Sequence, residues 1–399
     1  MLRNSSGFKL RVTHNHVFLL GWAYYLAGPV IVAYLGWLGS VESAEAWLKY
    51  IDTDGDSRWA LPLYVALMPL VFISGSKLSN LFKPAKPRAV YVRLANWITW
   101  PLYALLLAVL VFLASDLMFS GYVGGYDAAI MGPIATLQML ILFQYLLFKS
   151  AGIRVAAKLN LALLVVCSLV LLSMGGRLYI ATALAAVLFY KWNWEHKSAS
   201  ARHRALMWAF LVILLLAILG MLRMGVFNPF FLVIYMFLEP LFTSISAFSA
   251  MRGEWVWFDV SNDFIYAFLN IVPSWLWEGK AAYIASVADS DIFVLSPFGA
   301  KSIVASTVQD FGFVGGLIFI SLVGFVMGRS RSNATSPISI AFYCYLTGLL
   351  LFVFFRDPFQ IQVKLVLTGF LLMWIYRGIS ALAAPSRRTQ ELPRLISNG

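Results

Sequence analysis

The sequence predicts an all-α integral membrane protein of about ten transmembrane helices, and three observations carry that prediction. The 399 residues are 61% hydrophobic and only 12% charged, against about 25% charged in a soluble domain. Apolar runs recur along the whole chain, most of them close to the roughly 20 residues that a helix needs to cross hydrocarbon. Basic residues alternate from one connecting segment to the next, as the positive-inside rule requires.

In chain order the spans fall near 16–38, 59–75, 97–119, 133–149, 159–175, 178–194, 206–224, 311–328, 337–355 and 360–378. The first apolar run is too long for a signal-peptide core, so Met1 to Gly399 is read as mature sequence. Arg3, Lys9 and Arg11 precede the first span, and Lys77, Lys83, Lys86, Arg88 and Arg93 follow the second. Further basic groups follow the fourth, sixth, eighth and tenth spans, and only Glu195 and Glu391 among the acids share that side. Both termini are therefore expected in the cytoplasm, and the net charge of +12 reads as topology rather than as a nucleic-acid surface. Cys167 and Cys344 fall inside spans, where a thiol behaves as a small apolar group, so neither a disulfide nor a metal site is inferred.

This layout gives three parts: residues 1–224 with seven spans, a large outer segment 225–310, and residues 311–399 with the last three spans. The outer segment opens with "PFFLVIYMFLEPLFTSISAFSAM" (229–251), apolar enough to enter a bilayer. A full crossing would invert the charge pattern after it, so a re-entrant or interfacial helix interrupted by Glu239 and Pro240 is expected.

The basic residues left on the outer side are the informative ones. Arg177, Arg223, Arg252 and Arg356 lie at span ends or beside the large segment, and Lys280 lies within it. Charges at membrane depth are costly and mark sites by default. Arg223 and Arg356 close outward-running spans, where a cation also complements the helix dipole, so simple anchoring is the competing reading. Arg177 opens an inward-running span, where that dipole disfavours a cation, and it follows Gly175 and Gly176, whose bare backbone could bring amides close to phosphate. Several outward-facing arginines around an apolar bundle fit a ligand that is anionic at one end and greasy at the other, such as a lipid-linked phosphate gripped by guanidinium forks.

The stretch "VPSWLWEGKAAYIASVADSDIFVLSPFGAKSIVASTVQDFGFVGGLIFISLVGFVMG" (272–328) resembles the outer-segment-to-span passage of bacterial O-antigen and oligosaccharide repeat-unit polymerases, the Wzy type. The residues that carry the resemblance are Pro273, Trp275, Trp277, Lys280, Ser302, Asp310, Phe311, Gly312, Gly315 and Gly316, together with the "GGR" that opens the sixth span. It implies a GT-C-like glycosyltransferase bundle in the bacterial inner membrane. That enzyme takes undecaprenyl-pyrophosphate-linked oligosaccharide as substrate, needs no cofactor or metal, and has a chain-length regulator as a possible partner. Related readings are another lipid-linked-sugar glycosyltransferase, including an O-antigen ligase, and a lipid-linked oligosaccharide flippase.

Histidine bears on these alternatives. His14, His16, His196 and His203 all fall in segments expected on the inner side, whereas a ligase would be expected to place a histidine in the outer segment. With none inside a span, a membrane acyltransferase is also disfavoured, and His14 and His16 are read as solvated. A base for the acceptor hydroxyl must then be a carboxylate. Asp310, where the chain re-enters the bilayer, is the first candidate and Glu254 the second, with a helix cap as the structural reading of Asp310. Gly312, Gly316, Gly324 and Gly328 make small-xxx-small pairs that read as a packing face.

Overall fold

The computed structural model describes residues 12–35, 59–84, 93–118, 128–195, 229–252, 256–260, 262–269 and 300–382, with scattered positions between 198 and 218 and between 272 and 283. All regular structure among them is helical. The helices, in chain order, are α1 His14–Tyr34, α2 Ala60–Leu78, α3 Arg93–Leu113, α4 Ala128–Ser150, α5 Arg154–Met174, α6 Arg177–Tyr190, α7 Pro229–Arg252, α8 Asn262–Leu269, α9 Ile303–Ser332, α10 Pro337–Leu351, α11 Val353–Arg356 and α12 Phe359–Leu382. Seven helices among the described residues are long and apolar enough to cross a membrane, and a shorter apolar helix runs over Thr99–Leu113. The multi-pass membrane class is therefore plain in the fold. The sixth expected span is present as α6, continued by a π segment Lys191–Glu195. Most of the seventh, 206–224, lies outside the described residues.

Sequence chemistry explains the irregular places. Pro29 has no N–H to offer the carbonyl four residues back, and α1 passes through a π turn over Ala23–Ala27 just before it, with the Gly28 amide bonding Ala23 O. Helix α10 starts where Ser336 caps it, its hydroxyl accepting from the Ser339 amide, with Pro337 at the first helical position. The glycine face of α9 lies against α2. A methyl group on Gly324 would collide with the Phe72 carbonyl, and one on Gly328 with the Ser76 carbonyl and the Ser79 hydroxyl. Gly75 of α2 answers from the other side, its missing side chain making room for the Ser321 carbonyl. Such contact lets two backbones gain dispersion where apolar burial supplies little drive. The core beside this seam is aromatic: Phe18 stacks on Phe72 at 3.8 Å between ring centroids, and Tyr25 lies parallel to Phe355.

Two expectations need correction. Segment 229–251 is not interrupted: α7 runs unbroken from Pro229 to Arg252 with Pro240 inside it. The proline removes one amide donor, and hydroxyls tie the following turns to the backbone, Thr243 Oγ1 to Glu239 O at 2.8 Å and Ser246 Oγ to Thr243 O at 2.7 Å. His14 is not solvated. It is wholly buried at the head of α1, with Nδ1 2.9 Å from Tyr343 Oη and Nε2 2.8 Å from Ser76 Oγ, so one ring ties α1 to α2 and α10. A histidine thus does head a spanning helix, and the ground for disfavouring an acyltransferase falls away. His16 is exposed and serves the turn before the helix, its Nδ1 accepting from the Thr13 amide at 3.1 Å.

Candidate functional site

Side-chain contacts sort the bundle into two ends. Phe189 of α6 touches Tyr343 of α10, and Gly348 lies over Thr182 and Ala186, so these helices are antiparallel and the start of α6 lies level with the close of α10 and with α11. Tyr25 of α1 reaches Phe355, and α2 runs parallel to α9, Tyr64 meeting Gly316 and Phe72 meeting Gly324. One end accordingly holds His14, the Lys149–Glu195 ion pair at 2.8 Å, and Arg329, whose Nη1 donates to the carbonyls of Phe82 and Lys83. The other holds Arg177, Arg356, Asp357, Asp310 and Gly312.

Arg177 is the first helical residue of α6, with Gly176 as its N-cap. Gly175 takes a left-handed conformation, φ 93°, that ends α5, and the amides of Gly175 and Gly176 return to the carbonyls of Leu172 and Leu171. This is a Schellman-type stop. The two glycine amides that the sequence offered to a phosphate are therefore spent on the helix end. Gly176 is small for a packing reason, since a methyl there would press on Met131 and Leu171. What remains for an anion at this point is the half-buried Arg177 side chain at a positive helix terminus.

Arg356 is held by two carboxylates. Its Nε lies 2.5 Å from Glu239 Oε1, an ion pair that does not meet hydrogen-bond geometry, and its Nη1 donates to Asp357 Oδ1 at 3.1 Å. Asp357 is 2% exposed, and its Oδ2 is buried without a hydrogen-bond partner. Burial, with a smaller push from Glu239, lifts the Asp357 carboxyl to about 6, against the pull of the adjacent guanidinium. The turn around it is locked, the Asp357 amide donating to Val353 O and Gln362 Nε2 donating to the Asp357 carbonyl at 2.6 Å. Glu239 stands within electrostatic reach of Tyr24 and Tyr25 on the π turn of α1.

Asp310 lies on a helix that breaks immediately after it. Ser302 caps the first piece by accepting from the Val304 amide, and Gly312 departs from helical geometry at φ 73°, ψ −179°. The segment 256–259 fills the break. Phe313 donates to Val256 O, Val314 and Gly315 donate to Trp257 O, and Asp259 donates back to Phe311 O. No side chain would fit on Gly312, because the Val256 carbonyl and the Phe258 amide occupy the space. The amides that open the membrane helix are thus capped by backbone carbonyls, and Asp310 sits 1% exposed one turn before them. Other polar groups along these two helices are also buried: the cap Ser302 with Ser306, Thr307 and Gln309 of α9, and Thr243, Ser244 and Ser246 of α7. Ser246 Oγ accepts from the Ser302 amide at 2.7 Å, which joins the two helices.

Lys280 belongs to the same end. It is 6% exposed and its Nζ donates to Val272 O at 2.7 Å. Desolvation holds its ammonium below the ordinary lysine value. Lys364, near the start of α12, lies within electrostatic range of it. Arg252 is exposed at the close of α7, and Arg223 and Glu254 lie outside the described residues. Sequence reading therefore had Arg177, Arg356, Lys280 and Asp310 as candidates at what proves to be one end, and missed Glu239, Asp357 and Lys364. A signal for Glu239 was present: it is the one acid in an otherwise apolar 24-residue helix, a position that requires a cationic partner. Compared with protein-family models, curated proteins and solved structures, the chain matches none.

Proposed function

We propose that this chain polymerises undecaprenyl-pyrophosphate-linked oligosaccharide repeat units at the outer face of the bacterial inner membrane, as a ten-span GT-C-like glycosyltransferase with both termini in the cytoplasm. The observation that carries this reading is the gathering of Arg177, Arg356, Lys280 and several carboxylates at one end of an apolar bundle. An amphiphilic pyrophosphate would lie there with its polyprenyl tail along the helices and its charge among the cations. In the reaction the acceptor sugar's hydroxyl oxygen bonds to C1 of the donor glycan. The bond from C1 to the pyrophosphate oxygen breaks, undecaprenyl pyrophosphate leaves with the electron pair, and the hydroxyl proton passes to a carboxylate.

The expected result is that purified protein in detergent lengthens lipid-linked repeat units into a ladder of polymer and continues to do so in EDTA. Failure to form polymer, with translocation of the same lipid in proteoliposomes, would replace the reading with a flippase. Loss in EDTA that a divalent ion restores would replace it with a metal-dependent sugar transferase.

A further inference from the structure

Carboxylates at the Arg177 end differ in what a substrate could reach. Asp310 is enclosed, with 1% of its surface open. Asp259 is exposed, but its Oδ1 accepts from the next residue's amide at 2.7 Å. Glu239 has 47% of its side chain exposed, yet it is held in place through Oε1 by Arg356, which is itself four-fifths buried and held by the enclosed Asp357. Two acids thus share one guanidinium, in a graded series from a buried anchor through a clamped cation to an open carboxylate.

This order is that of a positioned proton acceptor. A catalytic carboxylate must be ionised, oriented and accessible, and its orientation must come from groups that do not themselves meet the substrate. Arg356 supplies orientation by pairing with Glu239 through Nε while its Nη1 is tied to Asp357. Asp357 fixes the fork from behind, as the buried acid of a catalytic triad fixes its imidazole. Burial disfavours charge on Asp357, the adjacent Arg356 offsets this, and the locked turn after α11 fixes its place. For simple anchoring of Arg356, the single pair with Glu239 would suffice. The enclosed Asp357 oxygen without a partner costs stability that anchoring does not require.

Resting on the polymerase reading above, we propose that Glu239 takes the proton of the acceptor hydroxyl, with Arg356 and Asp357 as its positioning residues. The proton moves from the acceptor oxygen to a Glu239 oxygen as the new bond to C1 forms, and passes to water after the lipid pyrophosphate departs.

The test is turnover of lipid-linked repeat units by purified variants, begun only once the wild type has been seen to polymerise. A wild type that makes no polymer refutes the polymerase reading itself, whereas the variants below bear on Glu239 alone. Glu239→Gln should lower kcat by about 10²–10³-fold with KM for the lipid substrate within about twofold. Glu239→Ala should regain activity with added formate, a small carboxylate, which a purely structural role would not do. Asp357→Asn should reduce kcat less than Glu239→Gln does and should also flatten the acid limb of the pH–kcat profile. In the wild type that limb includes proton uptake by Asp357 beside that of the base itself, and Asp357 is faced by Arg356 and Glu239 and, from α1, by Tyr25. Near-normal kcat in Glu239→Gln overturns the proposal, and so does a monodisperse Glu239→Ala that formate fails to revive. Collapse of Asp310→Asn with Glu239→Gln unaffected would move the base to Asp310.

Discussion

The two ends of the bundle use polar groups in different ways. At the end that holds His14, the contacts are single and paired: both ring nitrogens of His14 are bonded, Lys149 meets Glu195 one to one, and Arg329 donates to the carbonyls of Phe82 and Lys83 after α2. At the Arg177 end the matching is uneven. One guanidinium serves two carboxylates, a carboxylate oxygen is enclosed without a partner, and a spanning helix is broken at Gly312. Enclosed polar atoms without a partner occur at both ends, Asn15 Oδ1 at one and Asp357 Oδ2 at the other, so what sets the Arg177 end apart is the shared guanidinium and the broken helix, irregularities of the kind that gather where chemistry needs them.

Three substitutions sharpen that contrast. The largest effect is expected from Arg177→Ala, which should abolish polymer in cells while protein abundance stays near wild type, with Arg177→Lys recovering little because a point charge cannot grip phosphate bidentately. Polymer at wild-type levels from either variant would remove Arg177 from the site. At the opposite end, His14→Ala should lower stability by roughly 2–4 kcal/mol, by opening a cavity and stranding Tyr343 and Ser76. The loss should appear as a lower thermal aggregation temperature in detergent, with unchanged turnover per folded molecule. A drop in turnover without a drop in stability would make the two ends functionally alike. The smallest effect belongs to Lys149→Ala, since a partly exposed pair contributes about 0–1 kcal/mol. A thermal shift much larger than that, measured in the same detergent, would mean the pair is more enclosed than its exposure indicates.

Much of this was legible in the chain, for physical reasons. Helices with a sustained apolar character announce themselves, and the residues that cap them do so too, as with the serine and proline that open α10. The small-residue spacing of α9 marked a packing face at Gly316, Gly324 and Gly328, because close helix contact needs glycine whatever the partner, whereas Gly312, read as part of that face, serves the helix break instead. The partner itself, α2, was not legible, because period alone does not say what lies opposite. The pairing of Glu239 with Arg356 was hidden for the same reason, its two members standing on helices far apart in sequence. The charge pattern led to an expected interruption at Glu239 and Pro240, yet the helix is unbroken: proline costs a helix interior about 3 kcal/mol, a penalty that tertiary contact and local hydroxyl bonds can override. The glycines before Arg177 illustrate another limit: "GG" at a helix start fits an anion cradle and a helix stop equally well, and only the bonds made by the two amides distinguish them.

The backbone pairing at the Gly312 break has a consequence for how this chain tolerates variation. Where Asp259 meets Phe311 and Val256 meets Phe313, the chain returns to a point it has already passed, so residues 260–310 form a loop whose two ends are fastened, although α8 and the start of α9 pack back against the bundle. Lengthening such an excursion costs only about 0.6 kcal/mol per doubling. Insertions at positions of such a loop that do not pack against the helices would therefore leave the clasp, and the helices it fastens, as they are.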